Sequence, residues 1–455
     1  MIRFGTDGVR GVANTELTPE IALSLGYAAG TWLAGRGSPP VVIGRDTRRS
    51  GSMLGAALAS GFCSAGIDVL TLGVAPTPAV SFAVRSSDKG MGAVISASHN
   101  PAADNGIKLL GEDGGKLPEE IEEEIASLLG RGLENRTTAV GRITADNSPL
   151  QNYKAWLAER LPKDLRFLKI VVDCANGAAS DFAPRLLSEG GAEVHAIAMS
   201  PDGDNINDGV GATRPSTLQK AVLDARADLG IAFDGDADRC IFCDETGTLI
   251  NGDRFMAAWA NFEHQNGRLD PPIVVGTVMS NLGFERALNE RGVELVRTRV
   301  GDRHVANALC EHRARIGGEQ SGHIIFPEHA PTGDGLLTAV EMIRVLCESG
   351  QRASQLEPQF ENWPQVLVNV RIDRNSDWKA NPVVNATLQE AQARIDGDGR
   401  ILVRASGTQP VVRVMVESSS AQRRDEVAAD VVQALVRECG GTVVGEVELT
   451  NALGD

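Results

Sequence analysis

The chain is 455 residues long and carries 60 Asp+Glu against 44 Lys+Arg, a net charge of −16; this argues against a nucleic-acid binder, whose phosphate contacts need clustered Lys and Arg. A length of this order accommodates about three or four domains, and 42% hydrophobic with 23% charged residues excludes wholesale disorder. No apolar run approaches the roughly 18 residues of a membrane span. Met1-Ile2-Arg3-Phe4-Gly5-Thr6-Asp7 lacks the apolar core of a signal peptide, and the 7 scattered cysteines suit reduced thiols, so a cytoplasmic protein is expected.

Three segments repeat one pattern, a β-branched run, a polar turn and then helical periodicity. They begin at Val41-Val42-Ile43, Ile170-Val171-Val172 and Ile273-Val274-Val275, and each reads as the start of an α/β unit. Between the first two, Glu119–Leu129 predicts an acidic amphipathic helix with a solvated charged face. Candidate linkers fall at residues 144–149, 247–253 and 363–364. Beyond Pro364 the pattern changes to alternating strands over Val366-Leu367-Val368-Asn369-Val370, Ile401-Leu402-Val403 and 411–416, with a helix over 427–436. That predicts a smaller α+β domain. The domains expected are therefore 1–149, 150–252, 253–363 and 364–455.

Ile231-Ala232-Phe233-Asp234-Gly235-Asp236-Ala237-Asp238-Arg239 runs an apolar strand into three alternate carboxylates. These can converge as oxygen ligands for a hard divalent cation such as Mg²⁺. An EF-hand loop is excluded, because Arg239 stands where its sixth-position Gly is required and a strand precedes it. Val94-Ile95-Ser96-Ala97-Ser98-His99-Asn100-Pro101 is a second strand entering a turn, and presents Ser98 at a strand end. A serine needs a base or a metal to act as a nucleophile. His99 is adjacent, but neighbouring side chains in an extended turn diverge, so no Ser–His dyad is expected; an ordinary serine turn before Pro101 is the alternative.

Arginines among glycines recur at Phe4-Gly5-Thr6-Asp7-Gly8-Val9-Arg10-Gly11, at Gly44-Arg45-Asp46-Thr47-Arg48-Arg49-Ser50-Gly51, and at Arg404-Ala405-Ser406-Gly407-Thr408-Gln409-Pro410 with Arg413. Three such turns in an acidic chain point to a phosphorylated ligand. In Gly317-Gly318-Glu319-Gln320-Ser321-Gly322-His323, extended alternation would aim Glu319, Ser321 and His323 to one side, a set suited to sugar hydroxyls. Cys240 and Cys243 have the spacing of a metal or redox pair, but a strand turns residues three apart to opposite faces, so a structural role is expected.

Taken in order, FGTDGVRG, ISASHNP, DNGIKL, DGDADR, GGEQSGH and RASGTQP make the chain resemble the α-D-phosphohexomutase superfamily along nearly its whole length. PDGDNIN, VMSNLG, VGDR and Gln320 bring it nearest to that superfamily's bacterial amino-sugar branch, with Arg214 and Ser216 departing from the branch's usual His and Glu. The resemblance implies three mixed α/β domains around a central cleft plus a smaller C-terminal α+β domain. It implies Ser98 as a phosphoserine and metal ligand, Asp234, Asp236 and Asp238 as Mg²⁺ ligands, and Lys108, Arg239, Arg10 and His99 as catalytic residues. Glu319, Ser321 and His323 would bind the sugar, and Arg404, Ser406, Gly407, Thr408 and Arg413 the unreacting phosphate. The implied reaction converts glucosamine 6-phosphate to glucosamine 1-phosphate through a 1,6-bisphosphate (of glucosamine, or of glucose as activator), and feeds UDP-N-acetylglucosamine and cell-wall precursors. The implied partner is a small sugar phosphate, not nucleic acid or membrane, and a homodimer stays open. Competing readings are a phosphomannomutase/phosphoglucomutase of the same superfamily and a serine-nucleophile metallophosphatase. A non-catalytic sugar-phosphate binder would explain the basic turns but not the retained Ser98, aspartates and Lys108.

Overall fold

The computed structural model describes residues 8–129, 137–356, 358–373, 376–405 and 411–449. The chain packs as two units, Met1–Val278 with Val293–Glu357, and Met279–Gly292 with Pro358–Asp455. Among the described residues no helix is long and apolar enough to cross a membrane.

The first unit holds three sheets. The first comprises β1 (Val9–Val12), β2 (Val41–Arg45), β3 (Val69–Val74), β4 (Met91–Ile95), β5 (Asp104–Leu110) and β6 (Ile143–Ala145), in the order β1-β5-β4-β2-β3-β6. Strands β2, β3, β4 and β6 run parallel, whereas β5 is antiparallel to both β4 and β1. Helices α1 (Pro19–Ala34), α2 (Arg49–Ser64), α3 (Thr77–Arg85) and α4 (Glu119–Leu129) accompany it. Central strands such as β4 are buried along their whole length, so they read as continuous apolar runs rather than alternating ones.

The second sheet follows α5 (Ser148–Ala158). It comprises β7 (Lys169–Asp173), β8 (Glu193–Ile197), β9 (Leu229–Phe233), β10 (Cys240–Asp244) and β11 (Leu249–Ile250), in the order β11-β10-β9-β7-β8, with α6 (Ala183–Glu189) and α7 (Ser216–Ala225). After α8 (Gly252–Gln265) comes the third, of β12 (Ile273–Thr277), β13 (Glu294–Thr298), β14 (Ile316–Gly318) and β15 (Ile324–Ile325), in the order β13-β12-β14-β15. The helix α9 (Leu282–Asn289), inserted between β12 and β13, packs in the second unit, while α10 (Asp302–His312) and α11 (Gly335–Ser349) stay with the first.

The second unit has one fully antiparallel sheet of β16 (Gln365–Arg371), β17 (Gly399–Ala405), β18 (Val411–Ser418) and β19 (Thr442–Glu448), ordered β17-β18-β16-β19. Helices α12 (Pro382–Ile395) and α13 (Ala421–Glu438) bury Val384, Ala391, Val427, Val431 and Leu435 against it.

Three expectations are corrected. Residues 144–149 are not a linker, because Thr144 lies within β6 and Ser148 opens α5, with Pro149 in the first turn, where its missing N–H costs nothing. Likewise Gly252 and Asp253 begin α8, and Asn251 caps it by accepting from Arg254 N at 3.1 Å. The acidic face of α4 is also not wholly solvated. Glu122 is buried, where Arg303 Nη2 donates to it at 2.9 Å.

Candidate active site

Strand β4 ends at Ile95, and the chain turns sharply so that Ser98 adopts φ 51°. This left-handed conformation costs an L-residue about 1–2 kcal/mol. The surroundings hold it. Ser98 N donates to Ser96 Oγ at 2.8 Å, and Ser96 Oγ donates to Asp46 Oδ2 at 2.6 Å. Arg48, itself 1% exposed, donates to Ser98 O at 2.9 Å, Asn100 O at 2.8 Å and Asp104 O at 3.1 Å, and to Pro101 O. Asn207 Nδ2 reaches the same Ser98 and Asn100 carbonyls at 2.9 and 3.0 Å.

The Ser98 hydroxyl, buried at the floor of the turn, donates to Asp234 Oδ2 at 2.6 Å. His99 Nδ1 lies 3.3 Å from the same Oγ. The two side chains therefore converge rather than diverge, because the backbone at Ser98 is left-handed instead of extended.

The carboxylate loop leaves β9 at Phe233 and returns through β10. It is buried, with Asp234 and Asp236 at 0% and Asp238 at 6% exposure, which rules out a solvated acidic turn. Ala237 is left-handed (φ 57°), and this folds the alternate aspartates inward until oxygens of all three lie within 4.8 Å of one another. Gly235 is required for contact with the serine turn, since a Cβ there would fall 2.6 Å from Ser98 O.

Asp236 Oδ2 accepts from Thr77 Oγ1 at 2.6 Å and from Lys108 Nζ at 3.1 Å, and Lys108 also reaches Asp238 Oδ2 at 3.3 Å. Asp236 Oδ1 and Asp238 Oδ1 are buried with no hydrogen-bond partner. Three converging carboxylates, two of them with an orphaned oxygen, fit a hard, oxygen-ligated cation. The electrostatics agree. Burial and the neighbouring charges of Asp238 and Asp236 push Asp234 well above the usual carboxylate range. Burial works the same way on Asp238, but Lys108 and His323 outweigh it and hold its carboxyl well below that range.

Strand pairing places two further cations. Arg10 on β1 lies opposite Gly106 on β5, two residues before Lys108, so Arg10 and Lys108 share one face of the sheet. Arg239 closes the carboxylate loop, with its N–H on Asp234 Oδ1 at 3.2 Å.

The segment 317–323 is a tight hairpin turn between β14 and β15, not an extended loop; Gly322 N donates to Glu319 O at 3.0 Å and Glu319 N to His323 O at 3.1 Å. Its three polar residues consequently part company. Glu319 Oε1 accepts from Gly301 N at 3.0 Å, and Ser321 Oγ is buried without a hydrogen-bond partner. His323 lies between Asp238 (3.6 Å) and Asp302 (3.7 Å). Burial opposes its protonation, but Asp238 first, then Asp302 and Glu319, lift its pKa to about 9. Cys240 and Cys243 are buried free thiols on β10, raised by that burial and, for Cys243, to about 12.

In the second unit Arg404 on β17 lies directly opposite Arg413 on β18. Arg404 has no ion pair among the described residues, and Arg413 Nε is buried with no hydrogen-bond partner. Burial and the adjacent Arg413 charge both pull the Arg404 guanidinium down. Ser406, Gly407 and Thr408 fall outside the described residues, as do Phe4-Gly5-Thr6-Asp7 of the first motif.

The second basic turn is not a phosphate site. Arg48 is consumed by the serine turn and Asp46, Arg45 Nη1 by Asp46 O at 3.1 Å, and Arg49 by an exposed pair with Asp204. The reading of residue types missed Arg48 as a positioning group, Thr77 as a partner of Asp236, and Asp302 as a partner of His323. For Thr77 a signal existed: it opens α3 just beyond the C-terminal end of parallel β3, the edge where α/β sheets place ligands.

Family models of phosphoglucomutase/phosphomannomutase match in sequence along the chain: alpha/beta/alpha domain I at residues 1–136, domain II at 153–247, domain III at 251–362 and the C-terminal domain at 367–434. A phosphoglucosamine mutase of Desulforamulus reducens is 48% identical over 91% of this chain and 94% of its own. That of Pelotomaculum thermopropionicum is 48% identical over 95% of this chain and 99% of its own. A phosphoglucomutase/phosphomannomutase family protein from Burkholderia thailandensis superposes with a TM-score of 0.80 at 25% identity, covering 97% of this chain and 100% of that one. The fold is shared too by an Aspergillus fumigatus N-acetylphosphoglucosamine mutase, solved with GlcNAc-6P and magnesium, at a TM-score of 0.68 and 20% identity over 96% of both chains. With four consecutive domain models matched and curated relatives near half identity over almost its full length, the chain belongs to the phosphoglucomutase/phosphomannomutase family, in company with its phosphoglucosamine mutases.

Proposed function

We propose that this chain is an intramolecular phosphotransferase that interconverts glucosamine 6-phosphate and glucosamine 1-phosphate through a phosphoserine at Ser98 and a 1,6-bisphosphate. The observation that carries the reading is the 2.6 Å contact of Ser98 Oγ with Asp234 inside a buried triad of carboxylates. Mg²⁺, held by Asp234, Asp236, Asp238 and an oxygen on Ser98, would neutralise charge on the transferring group.

The chain's own residues do the rest. In the forward half-reaction the phosphoserine O–P bond breaks as the sugar hydroxyl forms a new O–P bond. Lys108, entering as the neutral amine once its pairs with Asp236 and Asp238 are released, would take the hydroxyl proton as general base and, as the ammonium ion, give it to the departing oxygen in the return half-reaction. Arg239 and Arg10 would offset charge on the phosphoryl oxygens, with His99 beside Ser98 Oγ. Glu319 and the orphaned Ser321 Oγ would take sugar hydroxyls, and His323 would fix Asp238. Arg404 and Arg413, with Ser406, Gly407 and Thr408, would hold the unreacting phosphate, as their uncompensated pairing favours a dianion. We carry the division into four domains, with the boundaries at 149/150 and 252/253 set back to 147/148 and 251/252 so that α5 and α8 stay whole, together with the cytoplasmic location and an activating glucose or glucosamine 1,6-bisphosphate, as parts of the same proposal.

Parallel assays for the 1-phosphate and for free phosphate, run on glucosamine, glucose and mannose 6-phosphates, test it. The expected result is fastest isomerisation of the glucosamine ester with negligible phosphate release, lost in Ser98→Ala. Phosphate release as the main product would establish a metallophosphatase instead, and preference for glucose or mannose 6-phosphate a sister mutase.

A further inference from the structure

Away from the carboxylate site, three segments of the first unit meet around a cavity of about 190 Å³ lined by Phe82, Arg85, Trp156, Arg160, Glu328 and His329, with Ser86 at its rim. They come from the regions matched by the domain I, II and III models. The cavity's charge balance is unusual for a chain of net charge −16. Its one carboxylate, Glu328, is already committed to Arg315, which donates at 3.0 and 2.8 Å. Arg160 lies 3.9 Å over the Trp156 ring and donates Nη1 to Trp156 O at 2.8 Å, with no carboxylate in ion-pair range among the described residues.

Arg85 is less satisfied still. Among the described residues it makes no ion pair, and its Nε is buried without a hydrogen-bond partner. Phe82 and Trp156 approach only through their rings, at 5.7 and 6.0 Å. The electrostatic neighbour Asp334 has its Oδ1 taken by Tyr153 Oη at 2.7 Å and Leu337 N at 2.9 Å. Arg85 is in the last turn of α3, whose partial negative charge offsets part of the cost but gives Nε no acceptor. Burial lowers the pKa of both guanidiniums; Asp334 offsets this in part for Arg85, and Glu159 and Glu341 for Arg160, while the Arg160 charge lowers that of Arg85 further.

A neighbouring cavity of about 290 Å³ shows the contrast. There Arg268, Arg315 and Arg344 are all ion-paired, to Glu263, Glu328, Glu341 and Glu348. The fold thus ion-pairs its arginines on one side of Glu328 and leaves two guanidiniums without an ion pair among the described residues on the other, with Asp334, Glu159 and Glu341 acting on them only at longer range. Burying paired cations without an anion is costly.

We propose that the Arg85–Arg160 cavity is a second anion site, separate from the carboxylate site, that takes one phosphate group, free or as a small phosphomonoester. Two guanidiniums present the forked donors that phosphate accepts bidentately. The volume is below the roughly 300–1,000 Å³ of drug-sized ligand pockets, which excludes a nucleotide.

Calorimetric titration of the full chain with inorganic phosphate and, separately, with glycerol 3-phosphate tests this, alongside Arg85→Gln and Arg160→Gln. Far-UV dichroism and melting serve as fold controls, and the more exposed Arg160 stands in should Arg85→Gln not fold. Both variants are expected to bind one phosphate fewer per chain, or to bind it at least tenfold more weakly at that site. Crystals soaked in dilute tungstate should show anomalous density between the two guanidiniums. Binding of both probes assigns the site to phosphomonoesters, and binding of phosphate alone to the free ion. Variants that match the wild type in stoichiometry and affinity, or an absence of tungstate from the cavity, would overturn the proposal.

Discussion

Replacing Arg48 by Met should disable phosphorylation of Ser98 before it unfolds the chain. Arg48 and Asp46 form an ion pair at 2.9 Å with both side chains 0% exposed. Removing one partner of such a pair costs ~3–5 kcal/mol, because the other charge is left buried. Asp46 is poorly placed to tolerate that: burial already raises its pKa, and Arg48 is the main force holding it down. Asn207 would still serve the Ser98 and Asn100 carbonyls, but Pro101 O and Asp104 O would lose the guanidinium. Each buried orphan adds ~1–3 kcal/mol unless water enters.

The left-handed φ of 51° at Ser98 is the softest point under this load. Its ~1–2 kcal/mol strain is held only by the surrounding bonds, so relaxation of the turn returns that strain and lets water reach the orphaned carbonyls, while the stranded Asp46 charge remains as the larger part of the penalty. The nucleophile then leaves the geometry set by Asp234. Arg48→Met should therefore lower kcat by at least a hundredfold with KM for the monophosphate nearly unchanged, since no substrate contact is removed. Asp46→Asn added to Arg48→Met should recover part of the lost stability, as it removes the uncompensated charge. Intact-mass measurement of Ser98 phosphorylation after incubation with the bisphosphate, together with urea unfolding, decides it. A destabilisation below ~1 kcal/mol with a wild-type rate of phosphorylation would refute the argument.

How far the sequence reveals such a site depends on which part of the chemistry is local. Asp234, Asp236 and Asp238 were legible because alternate carboxylates after an apolar strand encode a convergent loop within nine residues, and the structure brings their oxygens together. Ser98 was legible at the end of β4, but its contact with Asp234 spans 136 positions and depends on packing between two sheets. The basic turn at Arg45–Arg48–Arg49 misled for the same reason. An arginine looks alike whether it faces a ligand or four backbone carbonyls, and only the tertiary placement of residues 98–104 decides which. Periodicity likewise found at least one strand in each of the four sheets, whereas the short edge strands and the hairpin at 317–323 were missed, the hairpin because glycines permit a turn without announcing its type. The insertion of α9 into the second unit leaves no trace in local pattern at all.

Chelation should abolish turnover and Mg²⁺ restore it, and Asp236→Asn should weaken Mg²⁺ binding by calorimetry; because Asp236 is 0% exposed, Asn rather than Ala is the variant that keeps the Thr77 and Lys108 contacts. Arg413→Ala should weaken glucosamine 6-phosphate binding at least tenfold and release more bisphosphate into solution, without loss of stability, since it removes a like charge beside Arg404. Asp334 supplies a pH test. Burial raises its folded pKa from 3.8 to about 6. Between about pH 4 and pH 6 the folded chain therefore holds a proton that the unfolded chain has released, so stability from this group falls as pH rises through that window and stays lower above it. A shift of roughly two units corresponds to ~3 kcal/mol. Asp334→Asn retains an amide oxygen for the Tyr153 hydroxyl and the Leu337 N–H, both of which bond Oδ1, while it removes the ionisation. Urea unfolding should then find the variant close to wild type at pH 4 and more stable at pH 7, by up to ~3 kcal/mol. A difference between the two chains that stays constant from pH 4 to pH 7 would show that Asp334 ionises normally, and that its burial is compensated by Arg85 and the start of α11.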